Sequence, residues 1–514
     1  MLTGDMLRRS AERFPAKPAI ICGNTLLSYG ELDRQANQLA NALLALGLPR
    51  GAKIAMLSRN LPEYGVTFFG VARTGYVLTN VSVLYAAAEL TYVLGKADAE
   101  VLIFDSMFAE NALAASAKLS AIKQLVCIGD ADGVAGVTGF EQFLNGHDTV
   151  PPEVELSEDD PFCMTYTGGT TGRPKGVLCS HRARAITAHT VMVEEAIDER
   201  DRVGVVTPLF HVAALNIMFQ PAILAGATTL LLSKWDPEDF IVMSEKHNLT
   251  AAFMVPTQAA MLLQHEGFDV SRLSSWRKLS FAGAPMPDWV QVELRNRLPE
   301  LKLTQIYGQS EMGVITVLRH WYLPEKLGSI GRQAYNVDVR VVDPHGVDVA
   351  PGEMGEIVSR GANLMLEYYG EREQTDAFFK LGDGWGWSGD LATVDENGFM
   401  TLVDRSKDMI ISGGENIYPK EIETVIYQLE EVAECAVFGI PDDKWGEVPV
   451  AYVELKPDER LTEERVTAHC AAHLARFKRP RSVKFVGEWP KTPIGKIQKN
   501  VLKDEFWNSR EKKI

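Results

Sequence analysis

The sequence predicts an α/β protein: a large N-terminal domain of layered α/β sheets that includes a β-rich subdomain, followed by a small α+β C-terminal domain. Three observations predict it. Short apolar runs alternate with helical patterns from Ala19 to Ile306, the signature of layered α/β architecture. From about Gly331 the texture changes to β-like segments (Val337–Val342, Gly355–Ser359, Phe399–Val403) broken by glycine and proline turns. Near Asp404 it changes again, to a unit of mixed helices and strands large enough to fold alone.

The elements follow in order. Leu7, Ala11 and Phe14 share one face of an opening amphipathic helix. Ala19–Cys22 and Leu26–Tyr29 flank Gly23-Asn24, a hairpin signal. A helix is expected over 31–46, strands at Lys53–Leu57, Val77–Asn80 and Val101–Phe104, and a helix near 62–74. Pro161–Tyr166 reads as a buried strand, with a helical pattern beginning after His181. Arg202–Val206, Ala227–Leu232, Thr250–Val255, Lys278–Phe281 and Leu303–Ile306 continue the strands. Polar and glycine-rich residues fall just beyond several of their C-terminal ends, where open α/β sheets bind ligands. The C-terminal unit begins with Gly413-Gly414-Glu415 and a helix over 419–429. Strands at 433–438 and 448–455, a helix near 462–474 and a strand at 482–486 complete it.

Composition excludes several functions. The 514 residues carry 52 basic and 68 acidic side chains, a net charge of −16, which argues against a nucleic-acid surface. Polyanionic ligands must therefore be held by local positive features. Six scattered cysteines without Cys-x-x-Cys suggest neither a zinc site nor a disulfide framework and fit a reducing, cytoplasmic setting. The first ten residues lack a signal core, and the apolar stretch from Val212 to Leu232 is interrupted by Asn216, Gln220, Pro221 and Gly226. It reads as a buried helix and strand, so no membrane span is expected.

The chain is organised around Thr167-Gly168-Gly169-Thr170-Thr171-Gly172-Arg173-Pro174-Lys175-Gly176. Glycines let backbone N–H groups approach phosphate oxygens, hydroxyls add neutral donors, and Lys175 adds a point charge. It is not a Walker A loop, which needs Gly-Lys-Ser/Thr in that order. Four more stretches accompany it: Tyr307-Gly308-Gln309-Ser310-Glu311, Trp387-Ser388-Gly389-Asp390, Asp404–Asp408 with Gly413–Pro419, and Pro490–Lys496. In type and order these resemble the adenylate-forming (AMP-dependent synthetase/ligase) superfamily, in its acyl-CoA synthetase branch, over essentially the whole chain.

The resemblance implies a two-step ligase using ATP, Mg²⁺ and coenzyme A. A carboxylate attacks the α-phosphate to give acyl-AMP and pyrophosphate, then a thiol displaces AMP. It implies a hinge at Asp404 between a large domain (1–403) and a mobile cap (404–514). It assigns the phosphate loop (Thr167, Gly168, Gly169, Thr170, Thr171, Gly172, Lys175) and Gly283, Ala284, Pro285, Tyr307, Gly308, Gln309, Ser310, Asp390 and Arg405 to ATP. Glu311 with Thr170 would hold the metal, and Lys496 would serve adenylation. Gly413, Gly414, Glu415, Trp445, Arg476 and Lys478 would meet CoA. His211, Ala213, Ala214, Asn216, Met312, Gly313 and Val314 would line the acyl pocket, with His211 at its mouth. None of these is a lysine or arginine that could pair a second carboxylate, so the expected acid is an apolar monocarboxylic one, fatty, aromatic or alicyclic. The sequence departs from the family pattern at Gly168, Ser310 and Ile494. A carrier-protein thiol is the alternative acceptor; a luciferase-like oxygenase and a non-enzymatic nucleotide-binding module are further readings. A homodimer is compatible with the sequence.

Overall fold

The computed structural model describes residues 1–507 except 131–133, 169–173, 284–285, 287, 406–409, 418, 457–458, 488, 491–496 and 498. Two sheets form the layered body. In the nine-stranded sheet, six strands lie parallel in the spatial order Lys302–Gln309, Lys278–Phe281, Ala251–Met254, Arg202–Val205, Thr228–Leu231 and Pro18–Cys22. Their Val-, Ile- and Leu-rich runs suit strands covered on both faces. Thr25–Ser28 adds an antiparallel edge through the expected hairpin.

The eight-stranded sheet has Pro161–Gly168 near one end, parallel to Val77–Asn80, which pairs in turn with Lys53–Leu57. Here the sequence reading changes. Pro174–Ser180 is a strand folded back antiparallel on Pro161–Gly168, with Thr167 opposite Lys175. The two flanks of the phosphate motif are thus paired strands, and the helix His181–Glu194 starts only after the second. The Ser180 hydroxyl accepts the Ala183 N–H at 3.1 Å and caps that helix.

The core lies between the sheets. Phe68 packs edge-on against Phe162 at 5.2 Å and Phe219 at 6.4 Å, so one aromatic cluster ties together three separate segments. The Val212–Leu232 stretch is a buried π-helical turn (Ala214–Phe219), an α-helix (Gln220–Ala225) and a strand. Among the described residues no helix is long and apolar enough to cross a membrane.

The β-rich subdomain is a four-stranded antiparallel sheet, Asp338–Val342, Met354–Arg360, Gly386–Val394 and Met400–Arg405. Arg405 is the register partner of Asp390, so the backbone at the expected hinge still belongs to this sheet. Beyond it, Val432–Asp442 and Gly446–Leu455 pair as a long hairpin, against which the helices Pro419–Ile426 and Glu463–His473 bury an apolar core of their own.

Candidate active site

The strand Lys302–Gln309 extends further than its apolar pattern predicts. Tyr307, Gly308 and Gln309 lie within it rather than in a following loop, because the chain turns back at once as Gly313–Leu318. A Cβ on Gly308 would stand 2.0 Å from the Gly313 carbonyl oxygen, so only glycine permits this close return. The turn sets the side chains. The Tyr307 hydroxyl donates to Asp390 Oδ2 at 2.6 Å, and Gln309 Nε2 donates to the same oxygen at 2.8 Å. Asp390 is buried, with both donors on one carboxylate oxygen.

Glu311 follows at the tip of the turn. Its carbonyl accepts from the Met365 N–H at 2.7 Å. Its carboxylate accepts from the Tyr368 hydroxyl at 2.8 Å. Burial pushes the Glu311 carboxyl above its ordinary range, against the Tyr368 hydrogen bond and the Lys175 charge. Lys175 Nζ stands 4.8 Å from the centre of the Tyr368 ring, and burial lowers its ammonium. Lys175, Tyr368 and Glu311 therefore form one chain of contacts, close enough to Asp390 for its charge to act on Glu311.

Tyr368 was not singled out from the sequence. Glu367–Tyr368 pairs as a short edge strand with Val177 and Leu178, beside the phosphate hairpin. The signal present was a tyrosine pair, Tyr368-Tyr369, followed by a glycine.

Other expected residues are placed as follows. Gly283 follows its strand at φ +86°. Thr167 and Gly168 end the first hairpin strand. Gly169, Thr170, Thr171, Gly172, Ala284, Pro285 and Lys496 lie outside the described residues, as does the side chain of Arg405. Of the acyl-pocket set, Ala214, Asn216, Met312 and Val314 are buried, while His211, Ala213 and Gly313 are half-buried.

The Gly413-Gly414 turn faces the larger body. Gly414 has φ +84°, and a Cβ there would stand 2.8 Å from Val255, the residue just beyond the strand Ala251–Met254. Trp445 packs over Gly413 and remains partly exposed. Arg476 is exposed, but Lys478, also expected at the CoA surface, is only 4% exposed. Its ammonium donates to Glu421 Oε1 at 2.6 Å and to Glu89 Oε1 at 3.3 Å. Burial pulls Lys478 down, but the two carboxylates outweigh it and hold the ammonium well above its usual range. Glu421 sits on the helix Pro419–Ile426 and Glu89 on the helix Ala87–Lys96 of the larger body. The reason for the difference is that this cation is already committed to a buried contact between the two units.

The model of the AMP-binding enzyme family matches residues 7–369, and the AMP-binding enzyme C-terminal domain matches 421–496. The chain belongs to the AMP-binding enzyme family. This AMP-binding enzyme is 38% identical over 503 residues to a feruloyl-CoA synthase from Amycolatopsis, covering 97% of this chain and 98% of that one. It is similar to the o-succinylbenzoate CoA synthetase of Bacillus subtilis bound with a product analogue (TM-score 0.87, 28% identity, 97% and 98% covered). Against a fatty acyl CoA synthetase of Mycobacterium tuberculosis the TM-score is 0.73 at 30% identity, with 99% and 98% covered. The first of these two structures superposes better over the whole length although its sequence is no closer.

Proposed function

We propose that this AMP-binding enzyme is an AMP-forming carboxylic acid–CoA ligase. The observation that carries the reading is the linked set Lys175, Tyr368, Glu311, Gln309, Tyr307 and Asp390 at the C-terminal ends of the two sheets, matched along the chain by relatives that make CoA thioesters. A buried carboxylate opposite a lysine suits the polyphosphate of ATP: Lys175 attracts it, and Asp390, fixed by two donors, is poised to accept from ribose hydroxyls. The carboxylate donor at Glu311 fits Mg²⁺, a hard cation usually held by one or two carboxylates together with substrate phosphates. Bound there, Mg²⁺ would offset phosphate charge. Tyr368 fixes the orientation of Glu311, and both are half-buried, in a setting where electrostatic contacts are stronger than in water.

The arrangement of the two units supports assigning it to the thiol-transfer step. The Gly413-Gly414 turn lies against Val255, and the fold superposes well on a relative that holds a CoA product analogue. Lys478 then acts as a positioning residue that ties Glu421 to Glu89 in this arrangement. Residues 1–403 form the nucleotide-binding body, 404–514 the mobile cap, and Lys496 the cation that the cap delivers in the other arrangement. The exposed Trp445 and Arg476 would meet CoA. The relatives favour a fatty or aromatic acid and free CoA.

The test separates the half-reactions. Lys496→Ala is expected to abolish acid-dependent pyrophosphate release from ATP while retaining conversion of supplied acyl-AMP to acyl-CoA. Wild-type turnover of free acid by this variant would overturn the assignment.

A further inference from the structure

The helix His181–Glu194 carries a buried arginine that the sequence reading did not place. Arg184 is 2% exposed. Its Nη1 donates to Asn216 Oδ1 at 2.6 Å. Among the described residues its Nε and Nη2 find no hydrogen-bond acceptor. The ionisable groups that act on it are Cys163, close enough for a weak sulfur contact, Cys179 and Tyr64, none of them a carboxylate. A guanidinium buried without a counter-charge is costly, so such a group calls for an acceptor from elsewhere. Nε and one Nη form the side-on fork that takes two oxygens at once. The atoms left without acceptors are that pair.

The position relates this fork to the acyl site. One turn further along the same helix face, Thr187 Oγ1 would stand 2.7 Å from a Cβ on Gly313, two residues past Glu311. Arg184 therefore lies one turn, about 5 Å, from that contact along the helix, and it is bonded to Asn216, itself an expected acyl-pocket residue. Asn216, its partner, sits in the π-helical turn Ala214–Phe219, and such turns recur at functional sites. Asn216 Oδ1 also accepts from Gln220 Nε2 at 2.8 Å, while Gln220 Oε1, fully buried, has no partner among the described residues.

We infer that Arg184, with Asn216 and Gln220 behind it, is a specificity-determining floor that takes a pair of adjacent oxygens at the far end of the acid. This rests on the ligase reading and deepens it. The paired oxygens can be a terminal carboxylate or vicinal substituents on an aromatic ring. The body of the acid stays apolar, since the expected pocket residues Ala214, Met312 and Val314 are apolar and buried.

Two pairs of acids distinguish the sources: octanoate against octanedioate, and cinnamate against 4-hydroxy-3-methoxycinnamate. In the wild type, kcat/KM for CoA-dependent pyrophosphate release is expected to be at least tenfold higher for the oxygen-bearing member of one pair. Arg184→Leu is expected to bring that ratio to within about threefold and to raise the melting temperature of the free protein, because a buried uncompensated charge is removed. Arg184→Lys keeps the charge, loses the fork, and is expected to fall between. Equal kcat/KM within both pairs, or a ratio unmoved by either variant, would overturn the inference. Failure of the ligase reading looks different: no acid then supports CoA-dependent pyrophosphate release. In that case the ligand-induced thermal shift decides, with the oxygen-bearing acids expected to stabilise the wild type and not Arg184→Leu; equal shifts would overturn the inference.

Discussion

Glu89→Gln isolates the contact between the two units. Glu89 uses its two oxygens for different purposes: Oε2 accepts from the Ala86 N–H at 2.9 Å, capping its own helix, and Oε1 accepts from Lys478 at 3.3 Å. Glutamine keeps one oxygen for the cap and replaces the other with a donor that cannot serve an ammonium. At 3.3 Å the Coulomb attraction is about 5 kcal/mol for an effective dielectric of about 20, and desolvation of both groups cancels much of it. A net of about 1.5–3 kcal/mol, the usual value of a hydrogen bond between charged groups, corresponds to roughly 10- to 100-fold in the equilibrium between arrangements. Single-turnover conversion of acyl-AMP to acyl-CoA is therefore expected to slow by about tenfold or more. Acid-dependent ATP–pyrophosphate exchange is expected to stay within about twofold, because Glu421 still neutralises Lys478 within its own unit. Equal loss in both half-reactions, or no loss in either, would refute the positioning role.

Gly414→Ala places a Cβ 2.8 Å from Val255 on backbone at φ +84°, so thioester formation is expected to fall strongly with adenylation retained, read by the same pair of assays. Tyr368→Phe removes the hydroxyl that orients Glu311 and is expected to lower kcat/KM for pyrophosphate release by about tenfold, with little change in melting temperature. Glu195 is buried and its carboxyl is pushed up to about 7 by that burial. Its protonated form is favoured by the fold, so its contribution is fully present below the ordinary carboxylate range and is lost as pH rises through about 7. Glu195→Gln is accordingly expected to raise the melting temperature more at pH 8 than at pH 5, worth up to about 3 kcal/mol.

The alternation of elements was legible because covered parallel strands must be apolar throughout and helices must be striped. Tyr307, Glu311 and Asp390 were singled out through the resemblance of their motifs to the adenylate-forming superfamily, because an acid or aromatic after an apolar run is by itself a common feature of a solvated turn or a core. Pro174–Ser180 was less so: its strand character comes from pairing with Pro161–Gly168, a long-range fact that a local pattern does not contain. Tyr368 and Arg184 were missed for related reasons. Tyr368 reaches the site through an edge strand nearly two hundred positions from Lys175, and Arg184 looks in sequence like any charged residue of an exposed helix face. Lys478 was read as a residue that meets CoA, whereas its burial depends on two carboxylates from different units.

The most direct measurement is product analysis of the purified protein with ATP, Mg²⁺, CoA and a panel of fatty and aromatic acids. The account predicts acyl-CoA, AMP and pyrophosphate in equal amounts, with acyl-AMP accumulating when CoA is withheld. ADP and phosphate as products, or thioester formed without pyrophosphate, would contradict it.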